Sequence, residues 1–307
     1  MTDERIEISV QATPDQTDTW TQLARRCEHL GVRALLAADH PGVGASPFVA
    51  LAAAAAATST LRVGTYVLNT GVRDPLLIAA DAATLDVISD GRAEIGLGAG
   101  HTPAEWEMTG HTRPSPAARV RRLRTVATAV RQLLDGSTVP ADDLAALRDV
   151  SLQAPRPIQQ RIPLLVGGAN PDLLRWGGAH ADAVGLSGLG RTLPDGHSHT
   201  VSWSPQRVDA HVERIHRGAR AAGTNPPTVE ALVQQVVVTD DRHAAAAPLA
   251  EQLDTPIEDI LAVPYLWIGT TDEIIEQLHT ARHRWGITRW VVRGDALDHA
   301  VPVLNRL

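Results

Sequence analysis

Eight times along this chain a short apolar run gives way to an amphipathic stretch. That alternation constrains the fold more than any other feature. Residues 5–12 alternate apolar and polar side chains with period two, the pattern of a half-buried strand. Further strand-like runs lie at 33–39, 61–69, 92–100, 163–168, 182–187, 228–239 and 289–293. Helical periodicity marks 18–30, 46–58, 75–88, 116–135, 171–180, 205–222, 242–252, 256–262, 271–286 and 295–305. Pro75 stands in the first turn of one helix and Gly31 just past the end of another, as local backbone preferences favour. Repeated β–α units dictate a parallel sheet with right-handed crossovers. Eight of them in 307 residues predict a closed (β/α)8 TIM barrel, since an open doubly wound sheet holds about six. The expectation is a single domain over 1–307, with insertion segments at about 136–162, 188–204 and 252–267; residues 188–204 read as a loop.

Composition then narrows the chemistry. All 28 basic residues are arginine, so no lysine can form a Schiff base, act as a general base or hold a phosphate. A net charge of -7 without a basic run argues against nucleic acid. One cysteine, Cys27, excludes an internal disulfide and a cysteine metal cluster. The chain opens Met-Thr-Asp-Glu-Arg without an apolar run behind a basic start, and its most apolar stretch, Leu51 to Ala57, is too short to span a bilayer. The expectation is a cytoplasmic protein with no membrane partner.

In a barrel the reactive side chains gather at the C-terminal strand ends. The second strand ends in Asp39-His40, a polar pair at the mouth or a helix cap with a loop histidine. The third ends in Tyr66-Val67-Leu68-Asn69, where glycine and asparagine near a strand tip suggest a bulge or the close approach of a ligand, or mark an ordinary strand-to-helix turn. The fourth ends Gly96-Leu-Gly98-Ala-Gly100-His101, glycines that expose backbone and leave room for a flat ligand. His101 and Glu105 are four apart and share a face if a helix begins there. The fifth ends Gly167-Gly168-Ala169-Asn170 before a helix, which reads as an anion site built on free helix N–H groups. The 13 histidines include no HExxH pair, and neither His197 with His199 nor His211 with Glu213 makes a metal site. No GxSxG elbow is present.

These strand ends, in this order, resemble the luciferase-like monooxygenase superfamily. The resemblance is carried by Leu35 to His40, Leu61 to Thr65, Asn69 to Pro75, Ala82 to Asp86 with Ser89 to Arg92, Glu94 to Gly100, Arg119 to Leu123, Pro163 to Gly168 and Ala181 to Gly185. The tail, through Val236 to Arg242, Ile268 to Glu273 and Trp285-Gly-Ile-Thr, looks like the F420-dependent oxidoreductase branch. The resemblance implies a barrel that holds the deazaflavin F420, or alternatively FMN, in its mouth. It implies a non-prolyl cis peptide at Tyr66-Val67. It places Asp39, His40, Tyr66, Val67, Asn69, Gly98 and Gly100 around the ring and Gly167, Gly168 and Ala169 on the phosphate.

What it implies for activity is a reductase passing hydride from reduced F420 to an activated C=C, C=N or C=O bond. The substrate would be a specialised metabolite or a modified peptide. His40 and His101 are the candidate proton donors, Asp39 hydrogen-bonds the ring or orients His40, and Glu105 and Arg191 face substrate. Relatives that oxidise sugar phosphates carry a glutamate where His101 stands and lysines this chain lacks, so a sugar phosphate is not expected. A reductase supplying reduced cofactor and a homodimer follow from the same resemblance. The alternatives are an FMN-dependent monooxygenase using oxygen and a non-catalytic barrel subunit.

Overall fold

A computed structural model describes residues 5–14, 17–139, 150–193, 198–201 and 203–307. In chain order the first elements are β1 (Glu7–Ala12), α1 (Thr17–His29), β2 (Ala34–Ala37), α2 (Pro47–Ala56), β3 (Arg62–Thr65), β4 (Leu68–Asn69), α3 (Pro75–Ile88), β5 (Ala93–Gly98), α4 (Pro103–Met108), α5 (Pro116–Leu134) and β6 (Leu164–Gly167). There follow α6 (Pro171–His180), β7 (Ala183–Leu186), β8 (Leu189–Thr192), β9 (His199–Val201), α7 (Pro205–Ala222), β10 (Thr228–Leu232), β11 (Gln235–Val238) and α8 (Arg242–Leu253). The chain closes with α9 (Ile257–Ala262), β12 (Leu266–Gly269), α10 (Thr271–Trp285), β13 (Ile287–Arg293) and α11 (Leu297–Leu304).

Two compact units emerge. One comprises 13–29 and 34–167; the other comprises 1–12, 30–33 and 168–307. In the first, β2 pairs with β3, β3 and β4 with β5, and β5 with β6, all parallel. In the second, β7, β10, β13 and β1 pair in that order, also parallel. The eight parallel strands, with β3 and β4 counted as one, are those of a (β/α)8 barrel. Each set is short and apolar because its strands are covered on both faces. Leu35, Leu36, Val63, Ile95, Leu97 and Val166 are buried in the first unit, and Val10, Val184, Trp290, Val291 and Val292 in the second.

Local chemistry sets the helix boundaries. Helices α2 to α7 all open on a proline, whose missing N–H is no loss in a first turn. Helix α10 opens on a capping box in which Thr270 accepts from the Glu273 amide and Glu273 accepts from the Thr270 amide. Gly178 and Gly218 let α6 and α7 cross closely, since a Cβ on either would overlap the opposing backbone carbonyl, Ile215 O or Arg175 O. Two residues of the family motifs act as staples. Asp86 is buried and accepts from the Ile158 and Gln159 amides at 2.7 and 2.9 Å, while Arg92 donates to the Leu61 and Ala55 carbonyls at 2.6 and 3.0 Å.

The structure differs from the sequence expectation at several places, among them α4, which the periodicity did not mark. The third strand is interrupted between β3 and β4, where the Tyr66-Val67 peptide is cis, as the resemblance implied. The run 228–239 is two strands. β10 pairs with β7 and β13, then Gln234 donates to the Tyr265 carbonyl and β11 pairs with β12. β12 itself was hidden because all four of its residues are buried, which leaves no alternation to detect. Within 188–204, β8 and β9 form an antiparallel hairpin rather than a loop. Parts of the expected insertions, including His197, lie outside the described residues.

Candidate active site

Asp39 and His40 follow β2, and their side chains diverge. Asp39 is buried and binds inward. Arg73 donates to both its oxygens, Nε to Oδ2 and Nη2 to Oδ1, each at 2.7 Å, and the Asn69 amide donates to Oδ2 at 2.9 Å. The two-pronged fit of guanidinium to carboxylate fixes both groups. The hydrogen bonds to Asp39 hold the Arg73 guanidinium above its ordinary value despite burial.

His40 is partly exposed and takes a different carboxylate. Its Nδ1 lies 2.7 Å from Glu105 Oε1, and Asn69 Nδ2 donates to Glu105 Oε2 at 2.7 Å. Burial alone would raise the Glu105 carboxyl. The bonds from His40 and Asn69, with the charge His40 can carry, outweigh it and leave the group below the usual carboxylate range. The sequence expectation that Asp39 orients His40 is therefore corrected: Glu105 does so, because Arg73 and Asn69 already occupy Asp39. Glu105, expected to face substrate, is 2% exposed, and both its oxygens are engaged by this chain. Nor do His101 and Glu105 share a helix face, because α4 begins at Pro103, with Thr102 at its N-cap.

Around this pair the backbone is held from several sides. The Arg119 guanidinium donates to the Gly100 carbonyl and Arg113 to the His101 carbonyl, the latter at 2.7 Å. Burial, with Arg113 nearby, pushes Arg119 down to about 10. Asn69 Oδ1 accepts from the Gly71 amide at 2.9 Å, and the Trp106 indole fills the space a Cβ at Gly71 would need. His101 is exposed, and its ring meets that of His40 edge to face with centroids 6.1 Å apart.

The glycines of β5 serve a purpose other than the open space expected of them. A Cβ at Gly98 would overlap Val67 Cγ2, one at Gly96 would reach Val67 Cγ1 at 3.1 Å, and one at Gly167 would do so at 3.2 Å. Val67 thus fills the space at Gly98 and packs against Gly167, while at Gly96 the Thr65 carbonyl lies closer still. A Cβ at Gly100, whose φ is +69°, would overlap the Asn69 amide. Tyr66 is buried just before, and its amide donates to the Ala37 carbonyl. The segment Tyr66–Asn69 is thereby fixed, which suits a surface on which a planar ring rests.

The expected anion site fits less well. At the start of α6, Asn170 Oδ1 accepts from the amides of Asp172 and Leu173, and Asn170 O from that of Leu174. Pro171 has no N–H, and the Gly168 amide donates to the Gly185 carbonyl. The first turn is capped by its own chain, so the free N–H groups read from the sequence are not free. The amides of Ala169 and Asn170 remain as donors in this loop. Arg191, on β8 in the unit that holds α6, is exposed, and its amide donates to Thr200 Oγ1.

Among the described residues no cluster of three or more His, Cys, Asp or Glu could hold a metal, and no helix is long and apolar enough to cross a membrane. Arg73, Arg113 and Arg119 were not singled out from the sequence as site residues. Arg73 and Arg119 lie inside the segments that carried the resemblance, which was the available signal.

The sequence matches the luciferase-like monooxygenase family over residues 4–257, more than half of its length. The chain belongs to that family. As a member of the luciferase-like monooxygenases it is 35% identical over 137 residues to an uncharacterized protein of Mycobacterium tuberculosis. That match covers 44% of this chain and 48% of the relative, so the chain spans about half the length of the curated relatives it matches first. It is 27% identical over 296 residues to the F420-dependent glucose-6-phosphate dehydrogenase of Kineococcus radiotolerans, covering 91% of this chain and 81% of that one. An F420-dependent secondary alcohol dehydrogenase, solved with an F420-acetone adduct, superposes with a TM-score of 0.77 at 18% identity over 99% of this chain and 98% of that one. At that identity the likeness speaks for the barrel fold of this luciferase-like protein.

Proposed function

We propose that this chain is an oxidoreductase that binds F420 in preference to FMN and reduces an activated C=C, C=N or C=O bond. The observation that carries this reading is the chain His40–Glu105–Asn69 beside the fixed segment Tyr66–Asn69. Likeness to the F420-dependent dehydrogenase of Kineococcus supports the choice of F420. When bound, the deazaflavin supplies a hydride.

The chain's own residues bind, orient and protonate. Val67, seated against Gly96, Gly98 and Gly167, offers an apolar face to a ring. Asp39, locked by Arg73, holds the Asn69 amide and with it the end of the bulge. His40 gives Nδ1 to Glu105, so its proton exchange with substrate passes through Nε2, where an atom gaining negative charge takes up a proton. Glu105 positions that ring without touching substrate. His101, exposed and edge-on to His40, is placed to line the approach. The loop before α6 offers the Ala169 and Asn170 amides to the cofactor phosphate, and with no lysine in the chain arginine is the basic side chain that stays charged beside any anion. The substrate class is a specialised metabolite or modified peptide.

Anaerobic reoxidation of reduced F420, followed at the absorbance of the oxidised ring, tests this with a panel of enones, imines and ketones. Enzyme-dependent reoxidation is expected with at least one acceptor, and His40→Ala should slow it about 10²–10⁴-fold, the range of a lost acid. Enzyme-dependent oxygen consumption with reduced FMN, and no reaction with reduced F420, would move the chain to the monooxygenase reading.

A further inference from the structure

A cavity of about 220 Å³ lies against the β8–β9 hairpin and the first turns of α7, within the unit that contains β7. Its lining combines three apolar side chains, Leu189, Val201 and Val208, with four polar ones, Thr200, Arg207, His211 and Tyr265. The site described above makes no use of it.

His211 is the first sign that something belongs there. It is 6% exposed; its Nδ1 is sealed inside the protein without a hydrogen-bond partner, which leaves Nε2 as the ring nitrogen that can meet a ligand. A buried polar atom left unpaired is costly, which is why native proteins keep few of them. Burial, with Arg207 and Arg214 nearby, lowers the imidazole to about 4, so the ring is neutral and offers one donor and one acceptor.

Arg207 is the second sign. On α7 the other arginines are engaged: Arg217 and Arg220 with Glu213, and Arg214 with the Ala210 carbonyl. Among the described residues no carboxylate pairs with Arg207, although it stands at the cavity and is exposed. Tyr265 is 1% exposed, and burial keeps its hydroxyl neutral. Apolar walls, one unpaired cation and neutral buried polar groups together select an amphiphilic anion. Charge alone would leave the walls unused, and an apolar body alone would leave Arg207 unanswered. A cavity of about 150 Å³ accommodates a benzene ring, so this one has space for a ring bearing a carboxylate.

We propose that this cavity binds a small carboxylate with an apolar body. The carboxylate pairs with Arg207, the body packs on Leu189, Val201 and Val208, and a hydroxyl on that body meets His211. This inference stands apart from the proposed reaction, since it needs no cofactor to be bound.

Calorimetric titration of the whole chain tests it, with benzoate and 4-hydroxybenzoate as probes and benzyl alcohol and inorganic phosphate as controls. One-to-one binding of both carboxylates is expected, with 4-hydroxybenzoate the tighter, and no saturation by either control at the same concentrations. Arg207→Gln, a change at an exposed side chain, should weaken both carboxylates at least about tenfold, the scale of a lost charge-assisted bond. His211→Phe should abolish the advantage of the hydroxyl compound and leave benzoate bound. Phosphate binding as tightly as benzoate, unaltered binding in folded Arg207→Gln, or no saturable heat with either carboxylate would each overturn the proposal. Should His211→Phe fail to fold, the Arg207 variant and the two controls decide alone.

Discussion

His40 Nδ1 stands 2.7 Å from Glu105 Oε1, across 65 residues of sequence, and Glu105 is buried while His40 is not. A buried carboxylate that holds one nitrogen of a half-exposed imidazole fixes which nitrogen faces outward. Glu105→Gln keeps the shape and removes the charge. Glutamine offers one acceptor where the carboxylate offered two, so it can accept from Asn69 Nδ2 or from His40 Nδ1 but not from both. Turnover should fall about 10–100-fold, as when an orienting partner is lost, with ring binding little changed. Steady-state kinetics beside a cofactor titration separate the two effects.

The same pair carries a pH signature. The Glu105 carboxyl lies below its ordinary value in the folded chain, so its stabilising contribution is complete above the unfolded value near 4.5. It is lost as pH falls through the lower folded value. The difference in melting temperature between wild type and Glu105→Gln should therefore shrink as pH falls from about 5.5. A difference that grows toward low pH would contradict the ordering.

Asp39 and Arg73 differ in exposure, 1% against 26% for their side chains, and that asymmetry sets the order of two variants. Arg73→Leu leaves a carboxylate sealed without its partner. Asp39→Asn leaves a guanidinium that still reaches water. Breaking a fully buried pair costs about 3–5 kcal/mol. Arg73→Leu should fall in that range and Asp39→Asn below it, as read by denaturant unfolding.

Gly98 and Val67 form a second testable pair. Gly98→Ala drives a methyl into Val67 Cγ2 and should cost about 1–3 kcal/mol, the usual penalty of overpacking. Val67→Ala in the same chain should recover most of it, because the two changes share one space. Additive losses would place the strain elsewhere.

His211 gives a further pH dependence. Its folded value, about 4, lies below the ordinary 6.5, so the unfolded chain takes up a proton first as pH falls. Stability should decline between about pH 6.5 and 4 by up to about 3 kcal/mol, then level off in this contribution. Arg207 and Arg214 add repulsion to burial there. His211→Phe should remove that part of the acid sensitivity.

Most of the barrel was legible because β–α alternation is a property of chain order. What escaped depended on partners far away in sequence. β12 is buried on every residue, so periodicity was silent, and the break at Gln234 is set by Tyr265. In the site, Asp39 and His40 stood out as a polar pair, but adjacency hid that they turn apart. Glu105 was visible as a residue, while its partners His40 and Asn69 were not, since nothing local reveals that they engage it. The β5 glycines were visible as glycines, while Val67 as the occupant of their space was not. Asn170 capping α6 is a local effect, and the pattern Asn-Pro-Asp before a helix was its available signal.

Equilibrium binding of F420 and FMN to the purified chain, followed side by side by quenching of ring fluorescence, tests the central claim most directly. The account expects saturable one-to-one binding of F420 at least about tenfold tighter than FMN. Gly98→Ala should weaken that binding, because it displaces Val67. Saturable binding of neither ring by the folded chain would contradict the account.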